Sequence, residues 1–287
     1  MNNLPCRISV QHRLAEVMDA GEARAITLLL FEKLFGMTVA DVLSGKDDNL
    51  SDDERSLLNS CVERIADGEP AQYVLGKCDF NGLELEVSPS VLIPRPETAE
   101  LVNFCAGLYD ADSRLKVLDI GTGSGCIALS LKSLLSKTEV MGWDISADAL
   151  ALAKWNAKRL ALDVTFEKHN ILAIDDEISE ITPEYDIIIS NPPYVCYHEK
   201  KDMESRVVDH EPSLALFVPD DDPLRFYKHI TEFAFKALKP GGGLFFETNR
   251  TYADDVALLM SSCGFTGVEK KKDSFGNDRI VIGFLKP

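Results

Sequence analysis

From residue 116 onward the chain alternates short apolar-centred runs with longer amphipathic stretches, and this alternation restricts the fold more than any other feature. The runs Lys116–Ile120, Glu139–Asp144, Val164–Lys168, Tyr185–Ser190 and Leu244–Thr248 read as strands. Helical patterns lie between them, notably Ala147–Leu162 and Leu224–Leu238. Such alternation implies a mostly parallel sheet covered by helices on both faces. A last pair of runs, Val268–Lys272 and Arg279–Leu285, is separated only by Asp273 to Asn277. That gap is too short for a crossover helix, so this pair is expected to be antiparallel.

The chain before this region has a different pattern. Residues 1–70 read as a bundle of four or five helices, with apolar positions such as Leu14, Ile26, Leu30 and Leu34 recurring three or four apart. Gly21 and Gly36 fall where helices would stop. Ser51 and Glu54 have capping-box spacing at the head of another helix. Residues 71–93 read as a β-hairpin linker, because Asn81-Gly82 lies between alternating apolar residues. Pro96 is placed to begin a helix. The expected organisation is a helical domain at 1–70, a hairpin at 71–93 and an α/β domain at 94–287.

Thirty basic residues against 47 acidic ones leave a formal charge of −17. Non-specific nucleic-acid binding relies on lysine and arginine displacing counterions from phosphates, so free nucleic acid is a poor expected partner. The seven cysteines show no C-x-x-C spacing, which favours reduced thiols and a cytoplasmic setting over a disulfide framework or metal centre. No basic-then-apolar leader pattern opens the sequence. No apolar run approaches the roughly 18 residues that a membrane-spanning helix needs.

The first α/β strand runs into Asp119-Ile120-Gly121-Thr122-Gly123-Ser124-Gly125. Glycines at a strand-to-helix turn let the backbone bend sharply and approach a ligand, and the amides of the helix start favour a negative group. The second strand ends at Asp144, a carboxylate suited to ribose hydroxyls. A dinucleotide site would want a third glycine where Cys126 stands. The G-x-G-x-G form preceded by Asp119, whose carboxylate can receive an ammonium directly or through water, resembles the first motif of class I S-adenosylmethionine methyltransferases. A nicotinamide oxidoreductase is the alternative at this step.

Asn191-Pro192-Pro193-Tyr194 follows the apolar strand at 185–190. An amide nitrogen is a poor nucleophile, because its lone pair is delocalised into the carbonyl. Methylating it requires acceptors that hold its N–H groups while its face turns to the methyl carbon. The Asn191 side-chain carbonyl and a neighbouring backbone carbonyl can serve. Pro192 and Pro193 lack N–H groups and fix the backbone, so they offer no competing donor. Tyr194 can lie against the planar group. Positioning of this kind can supply roughly 7–11 kcal/mol of a barrier, and no strong base is required, since methyl transfer itself makes the nitrogen acidic. The other reading of the tetrapeptide is a proline-rich turn with Tyr194 as ordinary packing.

These residues resemble the HemK/PrmC family of protein-(glutamine-N5) methyltransferases that act on peptide chain release factors. The resemblance runs over nearly the full length. It is carried by Gln72-Tyr73-Val74-Leu75-Gly76, Leu92-Ile93-Pro94-Arg95-Pro96-Glu97-Thr98, the loop at 119–125, Ser190 to Tyr194, Glu211-Pro212, and Asp273 to Arg279. It implies a class I S-adenosylmethionine-dependent methyltransferase fold, Rossmann-like with a mostly parallel seven-stranded sheet, behind a helical domain that recognises substrate. The implied substrate is the glutamine of a Gly-Gly-Gln loop in a class 1 release factor. The implied cofactor contacts are Asp119, Gly121, Thr122, Gly123, Ser124, Gly125, Asp144 and Asn191. Asn191, Pro192, Pro193 and Tyr194 would hold the glutamine amide, with Asn191, Pro192 and Tyr194 the catalytic set.

Pro94, Arg95 and Glu97 are expected to line the cleft; a rigid turn with a salt bridge is the competing reading. His169-Asn170-Ile171 stands where members often carry an aromatic residue near the adenine, and Ile171 is taken as the adenine contact. Two departures, Phe217-Val218-Pro219-Asp220 and Glu247-Thr248-Asn249, read as loop variation away from the chemistry. The expectation is a monomer with no metal and no direct nucleic-acid or membrane contact. The rival function is N-methylation of an exocyclic amine of adenine or guanine in DNA or RNA, which would need an extruded base.

Overall fold

In the computed structural model, which describes residues 6–173 and 181–287, the early part of the chain is helical for local reasons. Its helices are α1 (Cys6–Leu14), α2 (Ala20–Phe35), α3 (Val39–Leu43), α4 (Asp52–Ala66) and α5 (Ala71–Leu75). The Asp19 side chain accepts from the amides of Gly21 and Glu22, so Gly21 sits in the first turn of α2 and stops nothing. Gly36 does end that helix, in a left-handed conformation with φ of 66°. Ser51 and Glu54 form the reciprocal capping box that opens α4. Leu14, Leu30, Phe31 and Leu58 are fully buried at the centre of these helices. The described residues up to Lys77, together with Glu204–His210, make one compact unit.

Cys78–Met203 and Glu211–Pro287 make the second. It begins with a hairpin of β1 (Lys77–Phe80) and β2 (Leu83–Glu86), turned by Asn81 and Gly82 at φ of 50° and 80°. The segment 71–93 is therefore not one hairpin, because α5 occupies its first residues. Then come α6 (Pro96–Ala106), β3 (Lys116–Ile120), α7 (Cys126–Leu134), β4 (Glu139–Asp144), α8 (Ala147–Leu160), β5 (Thr165–Lys168) and β6 (Tyr185–Ser190). After short pieces at 195–218 follow α9 (Arg225–Ala237), β7 (Leu238–Glu247), α10 (Ala253–Ser262), β8 (Thr266–Lys272) and β9 (Asp278–Phe284).

The seven-stranded sheet has the order β8-β9-β7-β6-β3-β4-β5. β7, β6, β3, β4 and β5 run parallel, while β9 is antiparallel to both of its neighbours. Successive strand residues face opposite sides: Val117, Ile187 and Ile189 join one apolar cluster, Leu118 and Ile188 the other. α6, α7 and α8 cover the first face through Leu101, Leu129 and Leu150. Tyr227 and Phe233 of α9 and Met260 of α10 cover the second. The chain builds β4 and β5 on one side of β3, then returns to place β6 on the other side. That reversal opens a crevice beyond the carboxyl ends of β3 and β6, where open α/β sheets bind ligands.

Candidate active site

The crevice is a cavity of about 350 Å³, within the size range of small-molecule sites. The end of β3 forms its floor. Gly121 and Gly123 adopt φ of 77° and 54°, conformations that glycine enters without cost. Gly121, Thr122, Gly123 and Ser124 line the cavity. Gly125 does not; a Cβ there would lie 3.1 Å from Leu129 and 3.3 Å from Ala153 and Phe166, so this glycine serves the close approach of the loop to α7, α8 and β5.

The loop's amides are mostly engaged by protein. Those of Gly121 and Thr122 both donate to the Trp143 carbonyl, at 2.8 and 2.9 Å. The Gly125 amide donates to the Thr122 carbonyl, and that of Gly123 to Asp144 Oδ2 at 2.9 Å. Those four amides are therefore not free to hold the negative group expected at this turn. The loop is a shaped wall held from behind.

Asp119 is part of that support. It is fully buried and lies behind the cavity wall. Its Oδ2 accepts from Thr122 Oγ1 at 2.6 Å and from the Ala128 amide at 3.2 Å. Its Oδ1 is buried without a partner. Burial pushes its carboxyl up to about 7 despite the Thr122 and Ala128 hydrogen bonds. A cationic group nearby would keep it ionised, and the orphaned oxygen is the kind of feature a bound ligand or water resolves.

Asp144, at the end of β4, lines the cavity. Its Oδ1 accepts from the Ser146 amide at 2.9 Å, so both carboxylate oxygens are aimed by backbone and each keeps capacity for a hydroxyl. Beside it, Trp143 and His169 stack with ring centroids 4.1 Å apart and, with Ile171, make an apolar wall. Trp143 was not anticipated, although its place next to Asp144 at a strand end was readable.

Asn191, Pro192 and Pro193 form the facing wall. Ser190 Oγ donates to the Ile120 carbonyl at 2.6 Å, which pins the end of β6 to the end of β3. Asn191 Nδ2 donates to Thr98 Oγ1 at 3.0 Å, and no donor among the described residues reaches its Oδ1. Tyr194 does not line the cavity. It packs into the apolar cluster below, and its hydroxyl donates to Glu247 Oε1 at 3.2 Å. Burial raises the Tyr194 hydroxyl far above its ordinary range.

Glu247 belongs to the site's support, which corrects its reading as loop variation. It is fully buried and also accepts from Thr98 Oγ1 at 2.6 Å. The parallel register pairs Ser190 with Phe246, so Glu247 falls beside Asn191. Arg95 lines the cavity and forms an ion pair with Glu211, whose side chain is buried and also accepts from the Ile93 amide at 3.1 Å. Glu97 does not line the cavity.

The residues fit S-adenosylmethionine: an aimed carboxylate beside an apolar wall for a nucleoside, and a glycine loop whose wall is backed by the buried Asp119 carboxylate. The fold and this cavity define a class I S-adenosylmethionine-dependent methyltransferase. A methyltransferase structure from Pyrococcus furiosus shares the fold, with a TM-score of 0.52 at 19% identity, over 72% of this chain and 90% of that one. A family model described as "Methyltransferase domain" matches residues 111–275, and one described as "PrmC N-terminal domain" matches residues 9–76.

Named release factor glutamine methyltransferases match nearly end to end. That of Bacteroides thetaiotaomicron is 43% identical over 95% of this chain and 96% of its own length. That of Flavobacterium psychrophilum is 38% identical over 93% and 94%. The chain belongs to the release factor glutamine methyltransferase family.

Proposed function

We propose that this protein transfers a methyl group from S-adenosylmethionine to the side-chain amide nitrogen of the glutamine in the Gly-Gly-Gln loop of class 1 peptide chain release factors. The observation that carries the reading is the orientation of Asn191: its Nδ2 is occupied by Thr98, leaving Oδ1 as an acceptor on the wall of the cavity. A planar amide offering two N–H groups is matched by such an acceptor together with the adjacent backbone carbonyl, and the prolines add no donor. When bound, S-adenosylmethionine supplies a sulfonium methyl open to displacement. Gly121, Thr122, Gly123 and Ser124 shape the wall against it, Asp144 takes the ribose hydroxyls, and Trp143, His169 and Ile171 enclose the base. Asp119 acts from behind, through Thr122 and a charge directed at the ammonium. Arg95 borders the substrate end.

The net charge of −17 favours a protein substrate over DNA or RNA. The reading includes a monomer working in the cytoplasm; no helix among the described residues is long and apolar enough to cross a membrane. The first unit is assigned to recognition of the protein substrate. It carries the exposed apolar residues Val17, Val39, Leu43 and Leu57. Charged substitutions there should raise KM for a folded release factor and leave a short Gly-Gly-Gln peptide unaffected.

The deciding experiment incubates the enzyme with a release factor and labelled cofactor, then maps the label by mass spectrometry. Methylated glutamine that disappears with Asn191→Ala, while S-adenosylhomocysteine still binds, supports the reading. Label in nucleic acid, or normal turnover by the Asn191→Ala enzyme, overturns it.

A further inference from the structure

A chain of three side chains runs from the cavity wall into the interior. Asn191 Nδ2 donates to Thr98 Oγ1 at 3.0 Å, and Thr98 Oγ1 donates to Glu247 Oε2 at 2.6 Å. The other Glu247 oxygen is taken by Tyr194. Thr98 and Glu247 are both essentially inaccessible to water. A hydroxyl has one proton. If Thr98 spends it on Glu247, only a lone pair faces Asn191, and Asn191 must answer with its NH2. The amide then has one orientation, with Oδ1 turned away from Thr98.

An ionised carboxylate can only accept, so it gives the chain a direction that a neutral amide would not. A glutamine at 247 could donate to Thr98; the Thr98 proton would then turn to Asn191 Oδ1, and the Asn191 NH2 would be left for the substrate. Two donors would meet. Burying a carboxylate is costly, so a carboxylate here rather than a neutral amide points to a need for an obligate acceptor. Thr98, Tyr194 and the nearby Arg279 offset the burial that pushes Glu247 up to about 7.

We propose that Glu247, acting through Thr98, is a positioning residue that sets the acceptor orientation of Asn191 and so makes the site select an N–H donor. This rests on the function proposed above for its consequence, though not for the orientation itself.

Two measurements on the full chain separate these. The Asn191 side-chain amide resonance, assigned by its loss in Asn191→Ala, reads the orientation without any substrate. It should exchange slowly with solvent in the wild type and in Thr98→Ser, and quickly in Thr98→Val and Glu247→Gln. Steady-state methylation of a release factor reads the consequence. An orienting hydrogen bond of ordinary strength corresponds to roughly a tenfold change. Thr98→Val and Glu247→Gln should therefore lose about tenfold or more in kcat, with S-adenosylhomocysteine affinity within about threefold of wild type. Thr98→Ser, which keeps the hydroxyl, should recover most of the rate and also serves as the folding control.

An Asn191 signal unchanged by Thr98→Val or Glu247→Gln, or a kcat loss that Thr98→Ser shares, overturns the proposal. A wild-type enzyme that leaves release factors unmodified while the amide signals behave as expected sinks the substrate assignment and leaves the orientation standing.

Discussion

Gly142 lies in the middle of β4, paired with Asp119 on one side and Phe166 on the other. An alanine methyl there would stand 2.7 Å from Thr122 Oγ1, 2.7 Å from Phe166 Cδ1 and 2.8 Å from Phe166 Cε1. Reaching ordinary contact at 3.4 Å needs a shift of about 0.7 Å. Neither neighbour has free room, because Phe166 is buried in the core and Thr122 Oγ1 is held by Asp119. Gly142 has no left-handed φ, so the cost is steric rather than conformational.

Overpacking of this kind costs about 1–3 kcal/mol. For a unit of 150–250 residues that corresponds to a melting point lower by roughly 2–12 °C. If Thr122 yields, the Asp119 brace is lost, and a hydrogen bond worth about 0.5–1.5 kcal/mol weakens cofactor affinity about 2- to 12-fold. Gly142→Ala should therefore show both effects, measured by scanning calorimetry and by titration with S-adenosylhomocysteine. Wild-type melting would refute the packing argument. A lowered melting point with unchanged affinity would show that Thr122 and Asp119 brace the loop without consequence for the cofactor.

Asp144→Ala removes the acceptor proposed for the ribose hydroxyls and frees the amides of Gly123 and Ser146; at about 1.5–3 kcal/mol for a hydrogen bond to a charged group, S-adenosylhomocysteine affinity should fall at least tenfold by calorimetry, and an unchanged Kd would reassign the ribose contact. Glu211→Ala leaves the Ile93 amide and a partly buried Arg95 without their acceptor. It should cost about 1–3 kcal/mol, visible in urea unfolding. Glu247 supplies a pH signature. Its folded value of about 7 lies above the ordinary 4.5, so between those values the folded state binds more protons than the unfolded. Stability should thus fall as pH rises through that window, by up to about 3 kcal/mol. Glu247→Gln should flatten this part of the slope, leaving the same-signed contribution of Asp119; identical slopes in the two proteins would disprove it. In activity the sign reverses, with kcat rising through about 7 as Glu247 ionises.

Much of the fold was legible because its signals are local. β3, β4 and β6 have the bounds that their apolar runs indicate, and Gly36 and Ser51 act where their chemistry places them. Gly21 departs from its expected place at a helix end because a glycine says nothing about Asp19, whose side chain takes the amides that start α2. β7 begins at Leu238 rather than Leu244, because the glycine run at 241–243 looks like a loop until pairing with β6 extends it.

In the site, most residues that line the cavity were legible, Trp143 excepted, whereas the supports Thr98 and Glu247 were not. Gly121, Asp144 and Asn191 stand at strand ends within recognisable patterns. Thr98 and Glu247 are partners across 149 residues; the register of β6 against β7 brings Glu247 beside Asn191, and Thr98 reaches both from α6. The tetrapeptide read as a unit puts Tyr194 on the substrate, whereas its hydroxyl is the second donor to a buried carboxylate.

The position of β9 bears on how the protein is made. This strand comes after every other strand in sequence, yet it lies inside the sheet, between β7 and β8. While a ribosome is still synthesising residues 278–284, the outer rim of β7 has no neighbour, and the amides and carbonyls of Gly243 to Glu247 face solvent or whatever chain is near. An uncovered strand rim invites pairing with other chains. The nascent protein should accordingly be most vulnerable to association until residues 278–284 have emerged, and losing β9 would unseat β8 as well rather than shorten one side of the sheet.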